Sequence, residues 1–359
     1  AADPYIVRCQ PKSVMCIPLP RHGQWKAAVY IENNLITGAF TQDRVEVIKL
    51  LAAQASISME NARLYSAQAR LIQAQQRFVP RQFLKALGHD DIAAVGLGEH
   101  VAREMSVLFS DLRGFTPLSE RLGPPRVIAL LNRYFSALEV PIVDSGGFID
   151  SFTGDEIMAL FGLPASQAVE AGIKMRRSLE LFNQDSVANG GPVLEMGVGV
   201  NTGPLVLGTV GGQDRMKCGV VGDTVNLASR VEQLTKVYRA PFLIGERTYL
   251  ALEAPEAFSI RMVDRVAVKG KSQAIELYEV LDADCEERRA AKEGTKALLA
   301  EGLKHYFDRD FKVALELFLE GTAQDPRDPV FRIFVERSRC YIEAPPPDDW
   351  QGFEKLTSK

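Results

Sequence analysis

The sequence predicts an α+β fold in the middle of the chain, a sandwich with a mixed, largely antiparallel sheet, and a helical tail behind it. First, short apolar runs typical of strands alternate with amphipathic helical patterns between residues 105 and 282. Second, the glycine pairs at residues 146–147 and 211–212 mark tight turns within that segment. Third, residues 285–345 lose the strand patterns and become helical and charged.

Composition limits the classes of protein to which the chain can belong. Its 359 residues suffice for two or three domains, and its net charge of −4 gives no signal for nucleic acid or an anionic membrane. The five scattered cysteines form no CxxC pair, so we expect a reducing compartment, the cytoplasm, and neither disulfides nor a zinc cluster. No apolar run approaches the ~20 residues of a membrane span. From the abrupt start at Ala1 we expect upstream sensor domains that are missing from this chain.

Residues 1–56 predict two strands and a helix. Residues 14–19 and 27–31 are apolar runs of strand type, and Thr41 is a plausible N-cap for the helix that follows. The segment resembles the C-terminal half of a GAF domain, through residues 30–33, Tyr-Ile-Glu-Asn, and residues 53–63. GAF domains are small-molecule sensors or dimerisation modules. Because the other half of that pattern is absent, we favour a dimerising cap over ligand binding.

Residues 57–78 predict a linker helix. Apolar side chains recur there every seven residues, at Ile57, Leu64, Leu71 and Phe78. This weak heptad seam favours a parallel coiled coil of two chains, and the alternative is a single amphipathic helix packed on its own domain. Pro80 ends the helix, and residues 79–104 form a connector with a short helix of its own.

Residues 105–282 predict the α+β domain, and residues 283–359 the helical tail. The strand candidates are residues 106–109, 148–152, 157–161, 195–201, 205–210, 242–244, 261–268 and 276–280. The helix candidates are residues 117–122, 126–145, 168–186, 223–237 and 246–252. The tail resembles a tetratricopeptide-type helix pair followed by a third helix. Since solenoids need several repeats, we favour a tail packed on the preceding domain over a scaffold that recruits a partner.

Three polar stretches carry the candidate chemistry. In residues 109–116 an apolar strand leads to Asp111, and a glycine turn then opens a helix. In residues 146–162 a second carboxylate, Asp155, lies at a strand edge beside a glycine. If these strands are neighbours, both carboxylates can reach one pair of divalent cations. In residues 221–230, Asn226 and Arg230 share one helix face, where they could orient a substrate and stabilise phosphate charge. The local alternative for Asp111 is a simple helix cap.

Together the three stretches resemble the class III nucleotide cyclases, the adenylate/guanylate cyclase family, over about residues 78–282. Residues 77–84 also resemble the segment ahead of many bacterial cyclase domains. The resemblance implies a ferredoxin-like, palm-type sandwich. It implies that a nucleoside triphosphate is converted to a 3′,5′-cyclic monophosphate and pyrophosphate, by attack of the ribose 3′-oxygen on the α-phosphorus. It also implies a homodimer with shared sites and two divalent cations, Mg²⁺ or Mn²⁺, in each.

The family's functional residues can be transferred to the matching positions. The resemblance implies that the metals are bound by Asp111, Leu112 and Asp155. It implies that Asn226 orients the ribose and that Arg230 stabilises the transition state, both from the partner chain. It implies that the triphosphate is held by the backbone of Arg113, Gly114, Phe115 and Thr116 and by the side chain of Lys269. A solvated turn residue is the alternative for Lys269.

The positions that read the purine base depart from the family pattern. The residue four before the second metal aspartate, usually Lys in adenylate cyclases and Glu in guanylate cyclases, is Ser151. The residue seven before the asparagine, usually Asp or Thr in adenylate cyclases and often Cys in guanylate cyclases, is Gly219. Asp150 or Cys218 could substitute by a small shift in register. We favour ATP over GTP, because bacterial members commonly make cyclic AMP. A degenerate domain that only binds nucleotide or dimerises is a further alternative.

Overall fold

The computed structural model describes residues 3–21, 24–76, 78–212, 214–267 and 274–355. The chain forms two compact units, Ala1–Phe78 and Val79–Lys359. Within the described ranges, no helix combines the length and the apolar character needed to cross a bilayer.

The first unit is a hairpin with a long helix. Its elements are α1 (Pro4–Cys9), β1 (Ser13–Arg21), β2 (Gln24–Asn33) and α2 (Gln42–Gln76). The strands pair antiparallel, and Ile17, Leu19 and Ala52 form a small core between hairpin and helix. The predicted linker helix is therefore the second part of one continuous helix, and its heptad side chains Ile57 and Leu64 are exposed. Pairing of this helix with a second copy, and the GAF resemblance, stay predictions.

The second unit carries the sheet. In chain order its elements are α3 (Arg81–Leu87), β3 (His100–Leu112), α4 (Phe115–Leu122), α5 (Pro124–Asp144), β4 (Phe148–Thr153), β5 (Glu156–Phe161), α6 (Ser166–Ala188), β6 (Met196–Gly211), β7 (Met216–Val221), α7 (Asp223–Tyr238), β8 (Phe242–Gly245), α8 (Glu246–Leu250), β9 (Ile260–Ala267), β10 (Ala274–Val280), α9 (Glu286–Phe307), α10 (Phe311–Gln324), α11 (Pro329–Glu343) and β11 (Glu354–Lys355). The predicted α+β class is confirmed.

The strands are ordered β11-β9-β10-β8-β6-β3-β5-β4, with β7 paired to the second half of β6. Pairing is antiparallel except between β6 and β8 and between β9 and β11. Side chains alternate across the central strand β3, as a pleated strand requires. Leu108 joins the core under α5 and α6, whereas Val107 and Phe109 join a second core with Phe83 of α3.

The strand that departs most from prediction is β6. Gly203 and Pro204 predict a break between two strands, but the structure continues through them. The reason is that β3 pairs along the whole stretch, with Met105 opposite Gly203 and Glu104 opposite Pro204. Strands β7 and β11 and the short helix α1 were not predicted.

The tail helices pack on the sheet of the second unit. Side chains of α9, α10 and α11 share one apolar core with α7, β8, β9 and β10. A buried ionic network crosses the same boundary. Arg261 of β9 lies 2.6 Å from Glu279 of β10 and 2.5 Å from Asp328 at the start of α11, and Lys292 of α9 lies 2.6 Å from Glu279.

Candidate active site

Two carboxylates meet at one edge of the sheet. Asp111 lies near the end of β3, which pairs antiparallel with β5. Asp155 lies in the two-residue turn between β4 and β5, where Gly154 takes the positive φ of 66° that such a turn favours. The backbone N–H of Leu112 donates to Asp155 Oδ2 at 3.2 Å. The antiparallel register therefore places both predicted metal aspartates at the same edge.

The charges at this edge repel one another. Burial and the neighbouring carboxylate of Asp111 raise the pKa of Asp155 to about 6. The pKa of Glu156 is also raised, mainly by burial and to a smaller extent by the charge of Asp111. Lys236 of α7 lies against Asp111, with its Nζ 2.6 Å from Asp111 Oδ2. The ammonium group of Lys236 thus lies where the carboxylate charge of Asp111 stabilises a cation.

This donor set fits a divalent cation that is shared with a substrate. No cluster of three or more His, Cys, Asp or Glu side chains suited to a metal is found in the described ranges. Mg²⁺ is commonly bound by one or two carboxylates together with substrate phosphates and water. Asp111 and Asp155 supply that number, so the residues present fit a metal that arrives with its nucleotide.

Arg113 does not project freely from the turn. Its guanidinium donates to Thr235 Oγ1, and its Nη1 lies 3.5 Å from Glu232 Oε1. Its backbone N–H donates to the carbonyl of Glu195 at 2.7 Å. A triphosphate contact through the backbone N–H of Arg113 would require its bond to Glu195 to break, and that role stays a prediction.

The start of α4 is better suited to a phosphate. Gly114 is its N-cap, with φ of 63°, and supplies no side-chain acceptor to the first N–H groups of the helix. Unsatisfied N–H groups and the helix dipole attract anions at such a position. The start of α4 thus has the geometry of an anion-binding turn, and phosphate binding by Gly114, Phe115 and Thr116 stays a prediction.

Helix α7 is pressed closely against β6. A Cβ on Gly199 would lie 2.2 Å from the backbone nitrogen of Glu232, so only glycine permits this approach. Lys236, near the end of α7, reaches Asp111 of its own chain, whereas Asn226 is exposed on the first half of the helix. The rise from Lys236 back to Asn226 is about 15 Å along the helix axis. The structure therefore does not bring Asn226 together with its own Asp111.

The two positions predicted to read the base, Ser151 and Gly219, lie on different strands. Ser151 is on β4, whose pairing with β5 shifts register between Ile149 and Ser151, so that Asp150 is the bulged residue. Burial raises the pKa of Asp150, and burial together with the charge of Asp150 raises the pKa of Cys218. Cys218 precedes Gly219 on β7. Asp150 and Cys218 are therefore electrostatic neighbours. Lys269 lies outside the described residues.

Two site residues were missed in the sequence. Lys236 contacts Asp111, and Glu232 lies one turn earlier on α7 with a side chain only 2 % exposed. Burial raises the pKa of Glu232 to about 7. Glu232 and Lys236 are four residues apart and therefore lie on one helix face. This spacing is the only local feature of the sequence that could have indicated a shared role. That spacing does not show which strand end the face meets.

The segment that holds this site matches a known family. The family model described as the adenylate and guanylate cyclase catalytic domain matches residues 99–281. The chain belongs to this family. The resemblance carried by the three motifs is thereby confirmed, and residues 99–281 are called the cyclase domain below.

Relatives of known name extend the comparison. An adenylate cyclase of Anabaena cylindrica is 40% identical over 211 residues, which cover 57% of this chain and 42% of the relative. The adenylate cyclase, terminal-differentiation specific, of Dictyostelium discoideum is 38% identical over 267 residues, covering 73% of this chain and 12% of the relative. The chain thus spans less than half the length of either relative.

A solved structure shows the same fold. The structure of a bacterial light-regulated adenylyl cyclase matches with a TM-score of 0.55 and 24% identity, over 64% of this chain and 66% of that one.

Proposed function

We propose that the chain is a nucleotide cyclase that converts a nucleoside triphosphate, with ATP favoured, to the 3′,5′-cyclic monophosphate and pyrophosphate. The observation that carries the proposal is the pair of carboxylates, Asp111 and Asp155, at one sheet edge beside the start of α4. The adenylate cyclases among its relatives support it. The five free cysteines support a reducing compartment, which we take to be the cytoplasm.

The carboxylate pair would hold the metals. Asp111, Leu112 and Asp155 would bind two divalent cations, which when bound would neutralise phosphate charge and favour ionisation of the ribose 3′-hydroxyl. Carboxylates bind cations in their ionised form, so Asp155 gives up a proton on binding below pH 6. A cation on Asp111 would compete with the ammonium of Lys236, whose Nζ lies 2.6 Å from Oδ2 of that carboxylate.

The remaining residues would position the substrate. The N–H groups at the start of α4 would hold phosphate oxygens, together with Lys269. Asn226 of a second chain would orient the ribose, and its Arg230 would stabilise charge on the transferring phosphoryl group. The 3′-oxygen forms a bond to the α-phosphorus while the bond to the pyrophosphate oxygen breaks. Positioning and charge stabilisation supply most of the catalysis in such a transfer, so no protein nucleophile is required.

We infer that two copies share each site. The rise of about 15 Å along α7 from Lys236 to Asn226 means that one chain alone does not complete a site. The strands β4, β6 and β7 also expose apolar side chains that a second copy could cover, namely Phe152, Val206, Val210 and Val221. Pairing of α2 as a parallel coiled coil would hold the two copies together and could carry a signal from an upstream sensor.

GTP is the second candidate substrate. The specific observation in its favour is the bulged Asp150 beside Cys218. A carboxylate accepts hydrogen bonds from the N1–H and amino group of guanine, whereas adenine presents an acceptor at N1. ATP remains the first choice because the named relatives are adenylate cyclases.

Turnover of ATP and GTP by the full chain, with Mg²⁺ and with Mn²⁺, tests the proposal. We expect cyclic AMP well above the level of the Asp111→Ala variant. Asp144→Ala, an exposed aspartate at the end of α5, serves as the matched control and should keep full turnover. Absence of both cyclic products would show that the chain is not a cyclase. A clear excess of cyclic GMP would reverse the order of the substrates.

Mixing two inactive variants tests the shared site. Asp155→Ala lacks a metal carboxylate and Arg230→Ala lacks the transition-state cation, so each alone should be inactive. A mixed dimer contains one site with both defects and one intact site, and random reassortment should restore about a quarter of wild-type turnover. Without any recovery in a sample that forms mixed dimers, the shared-site arrangement is wrong.

A further inference from the structure

A buried carboxylate joins the tail to the helix that carries Asn226 and Arg230. Asp264 of β9 is 1% exposed. Its Oδ2 accepts a hydrogen bond from Tyr238 Oη, at the end of α7, at 2.5 Å. The same oxygen accepts a bond from Arg337 Nη1 of α11 at 2.6 Å. Three elements therefore meet at one oxygen.

The hydrogen bonds to Asp264 lie on the side of α7 that packs against the tail helices. The inner side of α7 packs on β6 at Gly199, and its outer side contributes Val231, Leu234 and Tyr238 to the core that it shares with the tail helices. Arg337 lies at the boundary, with its guanidinium 5.1 Å from the ring centre of Phe334. The strand residues of this core lie within the stretch that matches the family, whereas its tail residues, Phe334 among them, and Arg337 lie beyond residue 281, outside that stretch.

We propose that Arg337 is a positioning residue for the cyclase reaction, acting through Asp264 and Tyr238 to fix the orientation of α7. The proposal rests on the proposed function, in which α7 presents Asn226 and Arg230 to the substrate. The rise from Tyr238 back to Arg230 is about 12 Å, so a tilt of about 5° at the held end moves Arg230 by about 1 Å. A displacement of that size lowers a rate by about 100-fold when the group acts in the transition state.

The expected signature separates positioning from simple folding. Asp111, Asp155 and the start of α4, which would bind the metal and the triphosphate, lie on β3, the β4–β5 turn and α4 rather than on α7. Loss of Arg337 should therefore lower kcat while the KM for the nucleotide changes little. A purely structural role would instead lower the amount of folded enzyme, so that the loss of activity follows thermal unfolding.

Steady-state kinetics of full-length variants test the role. We expect Arg337→Met to lower kcat about 10- to 100-fold with KM within about twofold, at a temperature where circular dichroism shows a folded chain. Arg337→Lys, which restores the charge, should recover most of kcat. Arg339→Met removes an exposed arginine of the same helix and should match the wild type.

A second variant decides the matter where Arg337→Met does not fold. Tyr238→Phe removes only the hydrogen bond from Tyr238 to Asp264 and leaves the ion pair between Asp264 and Arg337 in place. We expect kcat to fall about tenfold. Tyr278→Phe is its control, because that hydroxyl donates to Glu276 on β10 at 2.6 Å and does not touch α7.

Each result has one meaning. A wild-type chain without turnover above Asp111→Ala overturns the proposed function, and this role with it. Wild-type turnover with unimpaired Arg337→Met and Tyr238→Phe overturns the positioning role alone. So does a loss of activity that disappears on cooling to where the variant is fully folded.

Discussion

The buried carboxyl group of Glu232 offers a quantitative test of the site's electrostatics. Its side chain is 2% exposed, and burial raises its pKa from 4.5 to about 7. The folded chain therefore holds this proton more tightly than the unfolded chain does. Between pH 4.5 and pH 7 the folded state binds more protons, so stability falls as the pH rises through that window. Below the window the contribution is fully present, and above it the contribution is lost.

The magnitude follows from the size of the shift. A difference of about 2.5 pKa units corresponds to about 3 kcal/mol as an upper value. Glu232→Gln cannot ionise and lacks this dependence on pH. The ion pair with Arg113, at 3.5 Å, forms only with the ionised carboxylate, and its attraction is already included in the pKa from which this magnitude is taken. Relative to the wild type, we therefore expect the variant to gain up to about 3 kcal/mol between pH 4.5 and pH 7.5.

Thermal unfolding at a series of pH values measures this gain, with a chelator present to keep cations off Asp111. For a unit of this size, 1 kcal/mol corresponds to about 2 °C, so the difference between melting temperatures should widen by up to about 6 °C. Titration of Asp155 affects both chains and cancels in the difference. Glu316→Gln, an exposed site on α10, should give a curve parallel to the wild type. If the melting temperatures of Glu232→Gln and the wild type change in parallel with pH, the raised pKa of the buried Glu232 carboxyl is refuted.

Three further predictions follow from contacts in the same unit. Lys236→Met removes the ammonium at Asp111, and since an exposed pair contributes about 0.5–1 kcal/mol, the half-saturating Mn²⁺ concentration in a binding titration should fall about two- to fivefold; an increase would contradict the competition. Gly199→Ala places a Cβ against the backbone of α7 and should destabilise the unit by about 1–3 kcal/mol in urea unfolding, whereas Gly162→Ala, with open space around it, should be neutral. Arg261→Met leaves buried carboxylates without their cation and should destabilise by about 3–5 kcal/mol, and a loss below 1 kcal/mol would show that the network relaxes.

The sequence is most informative about the site where spacing and topology agree. Asp111 and Asp155 each follow or precede an apolar strand beside a glycine, and antiparallel pairing of those strands then places both at one edge. The pattern also predicts α7, because Asn226 and Arg230 lie within one regular helical stretch. These features depend on local sequence and on one pairing.

What the sequence does not predict depends on contacts between distant segments. Pro204 reads as a strand break, but β3 pairs across it and keeps β6 continuous. Lys236 reads as a surface residue until α7 docks beside β3. Asp264 and Arg337 lie far apart in the chain, and no periodicity links a β-strand residue to a tail helix. In each case the deciding interaction is a tertiary contact, which a local sequence pattern does not predict.

Helix α7 connects these observations. Its last turns hold Glu232 and Lys236 against the Asp111 and Arg113 of its own chain, and its first turns carry Asn226 and Arg230, which we assign to the site of a second chain. One rigid helix would thus touch two active sites in a shared-site dimer. Release of Lys236 from Asp111 at one site would therefore act on the same helix that, in the proposed dimer, presents Arg230 to the other. Because Arg337 of the tail bonds the carboxylate that holds Tyr238 at the end of that helix, we expect the tail to limit how far such a movement is transmitted.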